Sequence, residues 1–206
     1  MTTPDPQNPG VVPLVPPGAA RGRPAPGHGP AAVLDGGWVP GRDGVLSRSA
    51  ARVILLDEAD RVLLVRGHDV DAPDRSWWFT VGGGIDPGED ARSAAVREVH
   101  EETGIVLTAD ELVGPVYTRS ALFDFAARTC RQHEDLFVAR VRSTDVALSR
   151  DGWTDVERDV IDELRWWGLD ELARVEIEVF PAGLAQLVRD VLVWDGTTRH
   201  LGLVRE

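Results

Sequence analysis

The chain of 206 residues contains no lysine and a single cysteine, Cys130. One cysteine excludes an intramolecular disulfide. Long apolar runs are also missing. The longest, Val53–Leu56 and Val62–Val65, fall far short of the ~20 residues needed to cross a bilayer. No basic region opens the sequence, and the apolar patch Val11–Val15 is broken by Pro13, so a cleaved signal peptide is not expected and a cytoplasmic location is. Positive charge is scarce: 22 basic residues against 34 acidic ones leave a formal net charge of −12. That balance argues against general binding to nucleic-acid backbones, which need concentrated positive charge. It does not exclude a phosphorylated small molecule, because a divalent cation can bridge acidic protein and acidic ligand.

What is present fits one globular domain with a tail. The apolar fraction is 43% and the charged fraction 27%, ordinary values for a soluble protein. The first forty residues are dense in Pro and Gly and lack hydrophobic periodicity. Residues 1–45 are therefore expected to form a disordered arm, with Trp38 as an anchor to the domain, and residues 46–206 the domain itself. Arg52–Asp57 and Arg61–Arg66 read as strands of a hairpin, and Trp77–Val81 as a further strand. Gly82-Gly83-Gly84 and Asp86-Pro87-Gly88 mark a tight loop. A helix from about Glu89 to Thr103 follows, with Ala91, Ala94, Ala95 and Val99 as its apolar stripe and Gly104 as its cap. Leu112–Arg119, Ala121–Arg128 and Asp135–Arg142 suggest three strands, and Glu163–Trp167 another. Pro181 is placed to begin a closing helix that buries Leu184, Leu187, Val188 and Val191.

The chemistry concentrates between Gly83 and Ile105. On the helix, Glu98, Glu101 and Glu102 are three and four residues apart, so their carboxylates share one face. Such a patch of like charge costs stability unless a cation sits in it, and hard divalent metals take oxygen ligands of this kind. Arg97, four residues before Glu101, can orient a carboxylate. Gly82, Gly83 and Gly84 let backbone approach a ligand, and Glu89 is expected in the first helical turn, complementing its dipole and holding the loop.

Gly83, five residues, Glu89, seven residues, then Arg97-Glu98-Val99-His100-Glu101-Glu102-Thr103-Gly104-Ile105 resembles a complete Nudix box. The later Trp166-Trp167-Gly168-Leu169-Asp170-Glu171-Leu172 run is similar to a common pattern beyond that box. The resemblance implies an α/β/α sandwich with a mixed β-sheet between helices. It also implies hydrolysis of a diphosphate linkage in a nucleoside diphosphate joined to another group, or in a nucleoside triphosphate. Glu98, Glu101 and Glu102 would bind Mg²⁺, or Mn²⁺, assisted by the backbone carbonyl of Gly83, with Arg97 and Glu89 in support. Glu98 or an acid beyond the box would be the base; Glu157, the best candidate there, and Glu134 stand as either a base or a further metal ligand. Val81 stands where many members have proline, which removes no catalytic group. A second reading is a binding regulator of the same fold without turnover; the complete set of glutamates favours the enzyme. His100 and His133 are expected at the surface, Cys130 inert, and Trp77, Trp78, Trp166 and Trp167 mainly in the core, with one of them available to stack on a base. Beyond the box no pattern selects a substrate.

Overall fold

The computed structural model describes residues 12–13, 37–69, 72–125, 128–143 and 146–206. Most of the Pro/Gly-rich arm expected at 1–45 lies outside these residues. Among the described residues ten strands and four α-helices follow in chain order: β1 Val12–Pro13, β2 Val39–Pro40, β3 Leu46–Leu56, β4 Val62–His68, β5 Ser76–Gly84, α1 Ala91–Thr103, β6 Val113–Phe125, β7 Arg128–Arg140, α2 Asp155–Val160, β8 Ile161–Trp167, α3 Leu169–Leu172, β9 Glu178–Phe180, α4 Leu184–Val191 and β10 Arg199–Arg205.

The strands form one mixed sheet with the path β1-β8-β4-β5-β3-β7-β6-β10, with β2 added to β3 and β9 to β5. Strand alternation divides the core in two. Ala51, Val53 and Leu55 of β3 pack with Ala94, Ala95 and Val99 of α1. Ile54 and Leu56, the intervening residues, pack with Leu172 and with Leu184, Ala185 and Val188 of α4. A sheet buried on both faces between helices is the expected α/β/α sandwich.

Several local expectations need correction. The β3–β4 hairpin is confined to its turn: Asp57 N–H donates to Arg61 O at 3.0 Å, and Leu56↔Val62 is the one direct pairing among the described residues. The two strands then diverge, because β5 inserts between them and pairs with both. The three strands expected after the box are two long ones, paired antiparallel from Tyr117↔Leu136 to Phe125↔Arg128; Ser120 lies within β6. Pro181 does not open α4. Its carbonyl accepts from Leu184 N–H at 3.1 Å, and the helix starts only after Gly183. The parallel edge strand β10 escaped the sequence reading because its exposure does not alternate cleanly.

Candidate active site

The α1 helix begins where Asp90 accepts hydrogen bonds from the N–H groups of Arg92 and Ser93. Asp90, rather than Glu89, therefore caps the helix and complements its dipole; no acidic residue occupies the first turn. Glu89 lies just before the cap and grips Arg97, at 3.1 Å to Nε and 2.8 Å to NH2. It also accepts from the N–H of Asp86 at 3.2 Å. The loop is thus fastened to the helix through a charged pair. Arg97 extends the clamp, donating to Glu98 at 2.8 Å, to Glu101 at 3.0 Å and to the carbonyl of Gly84 at 2.9 Å. The hydrogen bond it donates to Glu89 is the largest of the causes that raise its pKa, so it stays cationic.

The three box glutamates are not equivalent. Glu98 and Glu102, one turn apart, are buried, with 7% and 4% exposure. Glu101 keeps 41% of its side chain exposed and turns toward Arg97. Glu102 accepts from the N–H of Gly82 at 2.7 Å. Burial pushes its carboxyl well above the usual carboxylate range, and the charge of Glu98 adds to the shift. Burial raises Glu98 as well, against the hydrogen bond from Arg97. Two buried acids whose ionised forms are this costly ask for a cation.

Glu157 supplies the third member of that group. One carboxylate oxygen from each of Glu98, Glu102 and Glu157 lies within 4.8 Å of the others. The segment before α2 makes this possible. Ser149 N–H donates to the carbonyl of Thr103 at 2.8 Å, and Trp153 Nε1 donates to that of Glu102 at 2.8 Å. Thr154 and Glu157 then form a capping box, with Thr154 N–H and Oγ1 each 2.7 Å from one Glu157 oxygen. The donor set is all hard oxygen, and its carboxylates converge, which fits Mg²⁺ or Mn²⁺.

The glycines fit for steric reasons. Gly82 has φ 129°, and a Cβ there would collide with the Ala51 carbonyl. A Cβ on Gly83 would stand 2.5 Å from a Glu98 oxygen. The carbonyls of Gly82 and Gly84 are taken by Arg52 and Arg97, and Gly83 lies between them against the cleft.

That cleft has a volume of about 520 Å³. Glu98, Glu101, Glu102 and Glu157 line one part of it, and Arg48 and Arg52 another. Trp77 and Phe180, with ring centres 6.4 Å apart, add an aromatic wall. Trp78, Trp166 and Trp167 are core residues, so Trp77 is the one of the four expected tryptophans that faces the cleft. Glu134 lines the cleft but is committed elsewhere. It accepts from Arg119 and from Gln132 Nε2, the latter at 2.6 Å. Burial alone would raise its pKa; the charges of Arg119 and Arg52 outweigh that and hold it low. Glu134 is therefore a poor proton acceptor. His133 is exposed on β7 beside Ser120 at 2.8 Å. Cys130 is buried, and burial raises its thiol pKa. The sequence reading missed Arg48 and Arg52. Their even spacing around Ala50 in a strand was the available signal, hidden by the expectation that the strand began at Arg52.

The α/β/α sandwich thus gathers a carboxylate triad, a glycine-lined loop and the arginines Arg48 and Arg52 around one cleft. The NUDIX domain family matches residues 46–191, and the chain belongs to that family. An RNA pyrophosphohydrolase of Acidiphilium cryptum is 30% identical over 151 residues, 69% of this chain and 88% of that one. A Bacillus subtilis relative is 43% identical over 74 residues, 36% of this chain, and the match spans less than half of its length, 46%. The Escherichia coli dihydroneopterin triphosphate pyrophosphohydrolase shares the fold, with a TM-score of 0.51 and 20% identity over 70% of this chain and 94% of that one. Among the described residues no helix is long and apolar enough to cross a membrane.

Proposed function

We propose that the chain hydrolyses a diphosphate linkage in a small, nucleotide-like substrate with the help of Mg²⁺, or of Mn²⁺ in its place. The observation that carries this reading is the convergence of Glu98, Glu102 and Glu157 in a cleft whose other walls are cationic and aromatic. In this reading those three carboxylates hold the cation, with the carbonyl of Gly83 beside them. When bound, such an ion supplies a Lewis acid for a phosphoryl oxygen and lowers the pKa of an attacking water. Arg97, braced by Glu89, keeps Glu98 and Glu101 in position. Glu101, outside the triad and open to the cleft, accepts the proton from the attacking water. The relative named for pyrophosphohydrolase activity supports the hydrolysis of a diphosphate linkage. The net charge of −12 favours a small substrate over a long nucleic acid, and the single buried Cys130 suits a reducing compartment such as the cytoplasm.

The experiment is a panel of nucleoside triphosphates and nucleoside diphosphate derivatives incubated with Mg²⁺ and assayed for phosphate, pyrophosphate and monophosphate. Release from at least one class is expected. Tight binding of a panel member with no product from any would put the non-hydrolysing regulator in place of the enzyme.

A further inference from the structure

The cleft extends beyond the family match at both ends. Trp38 precedes residues 46–191 and Glu206 follows them, yet both line it. Between them sits a cationic cluster that the metal site does not use. Arg48 and Arg52 lie four residues apart on β3 with buried Ala50 between them, so strand alternation puts both on one side. Arg52 is well compensated. It donates to the carbonyls of Thr80 and Gly82 and lies 3.6 Å from Glu134.

Arg48 is not. Its guanidinium carbon lies 4.5 Å from the centre of the Trp38 ring, which itself packs edge-on against Phe123 at 6.1 Å. Its Nε donates to Gln132 Oε1 at 2.6 Å. Among the described residues no carboxylate comes within ion-pair distance of it, and no other hydrogen-bond partner takes its terminal nitrogens. Burial and then the charge of Arg52 press its pKa down to about 10, against the opposing charges of Glu98 and Glu134, neither of which pairs with it directly. Its position is nonetheless fixed. Gln132 is 2% exposed and gives its Nε2 to Glu134 at 2.6 Å, which leaves its oxygen for Arg48. Glu134 is held by Arg119, and Arg119 by Glu206. A rigid guanidinium with uncommitted donors, facing a cleft, is organised for an oxyanion.

We propose that Arg48, stacked under Trp38 and braced by Gln132, binds a further phosphate of the substrate, one beyond the two phosphates whose linkage is cut. This rests on the diphosphate-hydrolase reading of the same cleft. It selects substrates that carry an additional terminal phosphate, such as nucleoside triphosphates, over nucleoside diphosphates capped by a neutral sugar. Trp38 is then a positioning residue, which acts through Arg48.

The test measures kcat and KM for both substrate classes with wild type, Arg48→Gln, Arg48→Lys and Trp38→Leu, after melting curves confirm that each variant is folded. Losing a charge-assisted contact should lower kcat/KM on triphosphates roughly 10–100-fold, chiefly through KM. Sugar-capped diphosphates should change less than about threefold, Arg48→Lys should recover part of the loss, and Trp38→Leu should give a weaker version of the same discrimination. Equal losses on both classes, or none on triphosphates, would overturn the proposal. If the wild type cleaves neither class, the hydrolase reading fails on its own. Calorimetric titration of inorganic triphosphate into chelator-treated protein then still decides the subsite. Binding by wild type that Arg48→Gln abolishes supports it, and binding that is absent or unaffected contradicts it.

Discussion

Glu98, Glu101 and Glu102 look alike in sequence, and the helix separates their roles through burial. Glu102 is fully enclosed and pinned by Gly82 N–H, whereas Glu101 is 41% exposed and held by Arg97. Replacing Glu102 by Gln keeps the shape and removes the charge, so Mg²⁺ affinity measured by calorimetry should fall steeply. The metal-free variant should melt no lower than wild type, because a buried and costly carboxylate has gone. Glu101→Gln should keep most of its Mg²⁺ affinity and lose roughly 10²–10⁴-fold in turnover, the range of a general base. Equal loss of metal affinity in both variants would place Glu101 among the ligands and leave the base unassigned. The sequence made the acid patch legible because the helical period fixes which residues are neighbours. It could not rank the three, since burial depends on β5 and on the segment around Trp153.

At the scale of elements, the helix and loop of the box were readable because every local signal agreed. The alanine stripe faces the core, Gly104 ends the helix, and Arg97 reaches back to Glu89. The same agreement exposes a fragile joint, for Gly83 leaves no space for a methyl group beside Glu98. Gly83→Ala should displace that carboxylate. We expect little change in denaturant melts, because only the end of the Glu98 side chain must give way, and a marked drop in Mg²⁺ affinity; a variant with wild-type affinity would show that Glu98 does not depend on the bare backbone at Gly83. Elements outside the box were less legible. No Gly or Pro stands between Ala121 and Arg142 to divide the strands, so two long strands read as three. The short α2 went unread although Thr154 and Glu157 stand in capping-box spacing; Glu157 was named as a candidate ligand or base, but only the fold brings its carboxylate to Glu98 and Glu102.

At the scale of the whole molecule, the cleft joins β3, β6 and β7 through Arg119, Glu134 and Gln132 and draws in Glu206 from the end of the chain. This network stores an acid sensitivity. The pKa of Glu134 is depressed below its ordinary 4.5, so its contribution to stability is complete above that pH and disappears as pH falls through the lower, folded value. Glu134→Gln should flatten the pH dependence of the melting temperature below about pH 4.5, and an unchanged slope would assign acid loss to other carboxylates. Trp38 and Glu206 lie at opposite ends of the sequence, and no local pattern shows that one cleft unites them. In the proposed function the carboxylates of Glu98, Glu102 and Glu157 work by holding a divalent cation. The most direct measurement is turnover of a cleaved panel substrate by chelator-treated protein as Mg²⁺ is titrated back, with Glu157→Gln alongside. No hydrolysis is expected without metal, full recovery with it, and a recovery curve shifted to higher Mg²⁺ in the variant. Undiminished turnover by rigorously metal-free protein would contradict the proposal.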